Sequence, residues 1–372
     1  MIGAIIGDIC GSVYEFNPVK SSDFELMADG VTYTDDTVLS VAVADAVLYD
    51  KPFAKTIKEY AKRYPDMSYG HRFRKWVNSE SLEPYNSFGN GSAMRVAAIG
   101  FYYNDEESVL EAARKSAEVT HNHPEGIKGA QAIALGIFLA REAYSKKRIK
   151  EELESHFGYN LSRSVEMVAA NYGFNETCQG SVPEAIIAFL DSKDFESAIR
   201  NAIMLKGDAD TQACMAGALA QAYYGDIPIY MKEKMYKLLP QDLHRVVKAF
   251  IRRPEKFTKA ELWHRRSIGN LKYFLLRVEQ YKEHGGDELK REILSHWISI
   301  LPVRISYLSH SDLNEESRQS LIDSTNLRWI NMWIKKWITK KKVSKPTDRE
   351  LLEYYDIGKD LIEEWSNKKA KN

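Results

Sequence analysis

The stretch GDADTQACMAGALAQAY (207–223) sets the architecture. It opens on two carboxylates and a hydroxyl, Asp208, Asp210 and Thr211, then runs into a segment whose recurring residues are small: Ala213, Ala216, Gly217 and Ala220. A helix with small, apolar residues all round belongs inside a bundle, not on its surface. Working outward, helical spacing of apolar residues recurs along the chain. Val38, Val41, Ala42, Asp45 and Leu48 lie at turn spacing over 37–48, and further helices are predicted over 53–63, 108–119, 125–144, 182–190, 195–205, 210–223 and 242–251. Gly, Pro and Asn separate them. The tail continues with helical patterns over 259–283, 287–300, 326–340 and 348–366. Alternating β patterns are nearly absent; only 101–103 reads as extended. The expected fold class is all-α, so a site must be built from helix ends and the loops between them.

Composition narrows the function classes. The 372 residues carry 52 Lys+Arg and 52 Asp+Glu, a balance that argues against a generally basic nucleic-acid binder. A hydrophobic content of 44 % supplies a core and excludes wholesale disorder. Cys10, Cys178 and Cys214 are far apart and odd in number, which suits a reducing compartment without a disulfide framework. The longest clean apolar run, 133–140, is too short to span a bilayer. The apolar start lacks a basic flank, so no secretory signal is expected. The expectation is a soluble, cytoplasmic chain with no membrane association.

The even total hides an asymmetry. Residues 255–372 carry a net charge of +5, leaving −5 for 1–254, and they hold six of the seven tryptophans but four of the 21 glycines. A domain boundary is therefore expected near Pro254, between a glycine-rich unit (1–254) and a tryptophan-rich basic helical region (255–372). Trp329, Trp333 and Trp337 recur every four residues beside lysines. Nucleic-acid binding is one reading of that pattern; an amphipathic helix burying its tryptophan stripe is the favoured one.

The helix junctions carry the chemistry. Thr34-Asp35-Asp36-Thr37 precedes an apolar helix, and capping explains much of it: Thr or Asp satisfies orphan N–H groups, and carboxylates suit the positive end of the helix dipole. Yet Asp-x-Asp-Thr (208–211) repeats the acid-rich pattern at a second helix start, with more acid than a cap needs. Four carboxylates meeting without counter-charge repel, and divalent cations would resolve that; hard oxygen donors of this kind suit Mg²⁺. Gly7-Asp8-x-x-Gly11-x-x-x-Glu15 offers another acidic face, or a loop and helix start with solvated acids. Ser87-Phe-Gly-Asn-Gly-Ser-Ala-Met-Arg95 allows close backbone approach and an anion-binding nest, with Asn90 and Ser92 as added donors. It lacks the P-loop form and the GxSxG form. In Thr120-His-Asn-His-Pro-Glu-Gly126, His121 and His123 make a poor zinc signature without further Cys or His. A histidine bonding a substrate diphosphate or hydroxyl fits better.

GDICGSVYE (7–15), TDDT (34–37), GNGSAMR (89–95), THNHPEG (120–126), CQGSVPEAI (178–186) and GDADT (207–211), in this order and spacing, resemble the ADP-ribosylglycohydrolase family over roughly residues 1–250. The resemblance implies a compact orthogonal helical bundle with two Mg²⁺ (or Mn²⁺) ions at the base of an ADP-ribose cleft. It assigns Thr34, Asp35, Asp36, Asp208, Asp210 and Thr211 to the metals, and Glu15 to a position over them that moves with substrate. Gly89, Asn90, Gly91 and Ser92 would hold the diphosphate, and His121 would lie near the distal ribose and phosphate. Catalysis would rest on Glu15, Asp35, Asp36 and Asp210, with the cations orienting the ribose and activating the water that breaks the glycosidic bond. The partner would be an ADP-ribosylated protein or a small ADP-ribose conjugate. One segment departs: Met67-Ser-Tyr-Gly-His-Arg-Phe-Arg-Lys-Trp76 has no acid beside Gly70, where some members carry one. An inactive binding or structural relative is the competing reading, opposed by the intact ligand positions.

Overall fold

The computed structural model describes residues 1–253, apart from Lys20, Ser22, Ala143 and Asp226. Within them fifteen helices follow one another: α1 (Ile2–Gly11), α2 (Asp35–Leu48), α3 (Phe53–Arg63), α4 (His71–Asn78), α5 (Gly91–Met94), α6 (Ala97–Tyr102), α7 (Glu106–Glu118), α8 (Pro124–Arg141), α9 (Lys146–Phe157), α10 (Val165–Ala169), α11 (Cys178–Leu190), α12 (Phe195–Met204), α13 (Ala209–Tyr224), α14 (Ile229–Leu238) and α15 (Gln241–Arg252). The protein is all-α; among the described residues the β-type pairing is a lone antiparallel bridge between Gly89 and Thr177. Of the stretch 101–103, expected to be extended, Phe101 and Tyr102 instead end helix α6, and only its C-cap Tyr103 has extended backbone. Short apolar runs do not distinguish strand from buried helix, and packing decided here. The tryptophan-rich region lies outside the described residues, as do its predicted helices and the expected boundary. No described helix is long and apolar enough to cross a membrane.

Helix α13 is the axis of the bundle. Every residue from Ala209 to Ala220 is buried, and α1, α8, α11 and α12 pack around it. Alanine and glycine in this helix bring its neighbours close. The tightest seam is with α1, which runs antiparallel to it. A methyl group added at Gly3 would lie 2.2 Å from the Gly217 carbonyl oxygen, at Gly7 2.0 Å from that of Ala213, and at Gly11 2.3 Å from the Asp210 Cα. No side chain fits in that seam, so glycine at every fourth position of α1 lets backbone touch backbone. The seam also sets a register: the C-terminal end of α1 meets the acidic start of α13.

Candidate metal and substrate site

Four chain segments converge at that meeting point. Asp8, on α1 and fully buried, accepts hydrogen bonds from the Thr34 N–H (2.9 Å), the Thr34 hydroxyl (2.7 Å) and the Thr37 N–H (3.1 Å). A carboxylate from one helix thereby holds the first turn of another, satisfying donors that the helix itself leaves open. The Thr34 hydroxyl also caps α2 conventionally, accepting from the Asp36 N–H at 3.2 Å. Capping is therefore part of what the first acidic junction does. The second differs: Asp208 occupies the N-cap position of α13 without capping it, and its Oδ2 accepts from the Asn90 side-chain amide at 2.7 Å.

The carboxylates form two overlapping groups. Asp8, Asp36 and Asp210 offer oxygens that all lie within 4.8 Å of one another, and so do Glu15, Asp208 and Asp210. Asp210 belongs to both. The Asp36 Oδ2 receives the Thr211 hydroxyl at 3.1 Å and lies 3.4 Å from the Thr34 hydroxyl oxygen, whose proton is shared chiefly with Asp8, while its Oδ1 is buried with no partner. Asp35 starts α2 beside these groups but joins neither. None of the six acids takes part in an ion pair among the described residues. Burial raises Asp8 to about 6 against the hydrogen bonds from Thr34 and Thr37, which lower it. Burial, and then the charges of neighbouring acids, raise Asp35 and Glu15 to about 7 and push Asp36 and Asp210 well above the carboxylate range. A set of buried carboxylates with raised proton affinity, an orphan oxygen and no countercharge is what hard cations would relieve. The residues fit divalent ions on donor chemistry alone.

The glycine loop stands against this cluster. It is pinned by the N–H of Asn90 to the Glu176 carbonyl (2.8 Å) and by the N–H of Cys178 to the Phe88 carbonyl (2.8 Å), which ties the start of the CQGSVPEAI stretch to the loop. The two side chains expected to add donors are engaged elsewhere. Asn90 reaches Asp208, and the buried Ser92 hydroxyl donates to the Gly126 carbonyl at 2.7 Å. The open donors of the loop are therefore the N–H groups of Gly91 and Ser92, which begin the short α5 and have no helical acceptor. His121 adjoins the loop: a methyl group at Gly91 would sit 3.3 Å from its Nε2, and one at Gly89 would sit 3.6 Å away. His123 does separate work, its Nδ1 accepting from the Glu125 N–H at 3.1 Å to cap α8. The departing segment places Gly70 at the start of α4, exposed and with open space beside it. Arg74, four residues on, donates to the Tyr69 carbonyl at 2.9 Å.

Sequence reasoning put Glu15, Asp36, Asp208 and Asp210 in one region, and the structure brings them together. It left Asp8 out of the site set, although GD stands in the first motif. The first motif reads either as another acidic face or as a loop and helix start with solvated acids, and the structure aims its Asp8 carboxylate inward at the α2 start. Arg95 and Thr120 were likewise quoted within motifs and given no role.

With this geometry in view, comparison with known proteins decides the family. A profile described as ADP-ribosylglycohydrolase matches residues 1–259. The chain belongs to the ADP-ribosylglycohydrolase family. It is accordingly an enzyme that hydrolyses glycosidic bonds. Its similarity to ADP-ribosylhydrolase ARH3 of Bos taurus is 29 % identity over 66 % of this chain and 91 % of the relative. To the Homo sapiens ARH3 it is 28 %, over 66 % and 92 %. A putative ADP-ribosyl glycohydrolase of Acanthamoeba polyphaga mimivirus is 25 % identical, over 61 % and 87 %. Among solved structures, one titled as an ADP-ribosylglycohydrolase-related protein complex aligns with a TM-score of 0.54 at 25 % identity, covering 68 % of this chain and 96 % of that one. In this ADP-ribosylglycohydrolase, the two acid-bearing helix starts and the glycine loop fall wholly inside the matched region.

Proposed function

We propose that this ADP-ribosylglycohydrolase is a divalent-metal-dependent enzyme that releases ADP-ribose from a modified protein residue or a small conjugate. The observation that carries the reading is the pair of carboxylate groups sharing Asp210, with the unpartnered Asp36 Oδ1 among them. Thr34, Asp35, Asp36, Asp208, Asp210 and Thr211 would hold two Mg²⁺ or Mn²⁺ ions, with Asp8 and Glu15 at their margin. Cations held there would supply Lewis acidity, orienting ribose hydroxyls and making water more acidic.

The chain's own groups do the rest. The Gly91 and Ser92 N–H groups, with His121, bind the diphosphate and fix the distal ribose over the acids. Glu15, half-buried and proton-avid, takes the proton of the attacking water as its oxygen bonds to the anomeric carbon. The bond from that carbon to the leaving nitrogen or oxygen breaks with oxocarbenium character, and the proton taken by Glu15 is returned to the leaving group. Residues 1–254 form the catalytic unit in this reading. The ADP-ribosylhydrolase names of the ARH3 relatives support the substrate class. Incubation with Mg²⁺ and a panel of ADP-ribosyl-arginine, ADP-ribosyl-serine and O-acetyl-ADP-ribose tests it by following ADP-ribose release. Release from at least one substrate, abolished by chelation, is expected; no release from any, or release indifferent to chelation, would refute it.

A further inference from the structure

Arg95 is the largest fully buried polar side chain among the described residues, and nothing above uses it. Its Nη2 donates to the Ser116 carbonyl at 2.8 Å and to the Thr120 hydroxyl oxygen at 2.9 Å. The Thr120 oxygen also lies 2.7 Å from the Nδ1 of His121. A guanidinium can only donate, so toward Arg95 the Thr120 oxygen is an acceptor. A hydroxyl has one proton to give, and among the described residues its one other hydrogen-bond partner is His121 Nδ1. Giving that proton to Nδ1 pairs both groups, whereas an Nδ1–H would leave the buried hydroxyl hydrogen with no acceptor among the described residues. A ring nitrogen that accepts carries no hydrogen, so in the neutral imidazole the hydrogen sits on Nε2. Burial, then the charge of Arg95, hold His121 well below its usual range, which keeps the ring neutral. The Nε2 has no protein acceptor among the described residues and faces Gly89 and Gly91.

We infer that Arg95 and Thr120 are positioning residues that fix His121 as the Nε2–H tautomer, a standing neutral donor aimed at the glycine loop. The chain Arg95–Thr120–His121 thus has a set direction: guanidinium to hydroxyl, hydroxyl to Nδ1, Nε2–H to an anionic oxygen of the ligand. A neutral donor recognises a diphosphate oxygen without carrying a proton that could be lost between turnovers. The inference rests on the proposed reading for the identity of the ligand, but the tautomer itself does not.

Two measurements on the full chain separate these levels. Long-range ¹H–¹⁵N correlation spectra of the free protein at pH 7 report each ring nitrogen, with His121→Gln serving to assign the signal. The expected pattern is a protonated Nε2 and a bare Nδ1; a protonated Nδ1, or an imidazolium, overturns the inference whether or not the enzyme releases ADP-ribose. Thr120→Val removes the hydroxyl at nearly constant volume, and Thr120→Ser restores it. In the valine variant the ring should lose its single tautomer and calorimetric affinity for ADP-ribose should fall about tenfold, the scale of one charge-assisted hydrogen bond. With a release substrate in hand, the loss should appear in KM more than in kcat, and serine should recover both tautomer and affinity. A valine variant whose tautomer has shifted while ADP-ribose binds unchanged would overturn the positioning role. If valine prevents folding, the serine variant and the wild-type spectrum still decide.

Discussion

Gly7→Ala tests whether the α1–α13 seam positions the site. The added methyl would lie 2.0 Å from the Ala213 carbonyl oxygen, 2.4 Å from its carbon and 2.7 Å from the Cys214 nitrogen. All three are backbone atoms, so no side chain can turn aside. Ordinary contact begins near 3.4 Å, and the helices must separate by about 1.4 Å to restore it. Overpacking of this kind costs about 1–3 kcal/mol, and this contact belongs at the upper end. For a unit of this size each kcal/mol shifts Tm by about 2–4 °C, giving a fall of roughly 6–12 °C. The functional cost is separate. Asp8 follows Gly7 directly, and a displacement of that size would break its three hydrogen bonds to the α2 start. Misplacement of about 1 Å can reduce turnover by about 10²-fold. Gly70→Ala is the control, since its methyl would enter open space and should change neither property measurably. Differential scanning fluorimetry beside an ADP-ribose release assay reads both. A Gly7→Ala protein with unchanged Tm and turnover would refute the argument that this backbone contact sets the site.

Three further expectations follow from the acids. Asp210→Asn, altering the residue shared by both carboxylate groups, should abolish Mg²⁺ binding by calorimetry and Mg²⁺-dependent release while the helical circular dichroism persists; full activity would reduce the junctions to caps. Glu15→Gln should keep or improve ADP-ribose affinity and lower turnover by about 10²-fold, the scale for a general base; undiminished turnover removes its catalytic role, and lost Mg²⁺ binding moves it among the ligands. With chelator, stability should fall as pH rises. Asp8 and Asp35, raised from 3.8 to about 6 and 7, bind more protons folded than unfolded between those values. Their contribution is whole below pH 4 and lost through pH 6–7. Excess Mg²⁺ should flatten or reverse that slope between pH 5.5 and 8, because cations need the ionised form; parallel Tm profiles with and without Mg²⁺ would count against a cation site.

How far the sequence reaches depends on what each element needed. Phe53–Arg63 was legible to the residue, because a surface helix must show one apolar and one polar face. Residues 2–11 were not read as a helix: buried on nearly every side, they show no amphipathic stripe, and their glycines suggest a loop unless the partner helix is known. Helix α11 begins four residues earlier than its apolar pattern, at a Thr177 cap that looked like ordinary loop chemistry. Within the site, the clustering of acids at two helix starts was visible as excess over capping. The aim of Asn90 and Ser92 was not. A donor in a glycine loop reads as free until its acceptor, Asp208 or the Gly126 carbonyl, is placed in space.

The assembly of the acid cluster also orders events during synthesis. Thr211 and Asp36 meet across 175 residues, and Asn90 and Asp208 across 118. Closing loops that long costs entropy that grows slowly with length, but no closure can begin before the far end exists. A ribosome adding about 5–20 residues per second makes Asp8, Thr34 and Asp36 roughly 10–35 s before Asp208 and Asp210. Through that interval the emerging chain holds half of the acid cluster, and the backbone seam that would align it has no second side. Completion of the acid cluster and α13 docking are thus one late event. Until Asp208 and Asp210 exist, the acid cluster cannot close, and synthesis of α13, not of the first acid-bearing helix, sets the earliest moment at which it can.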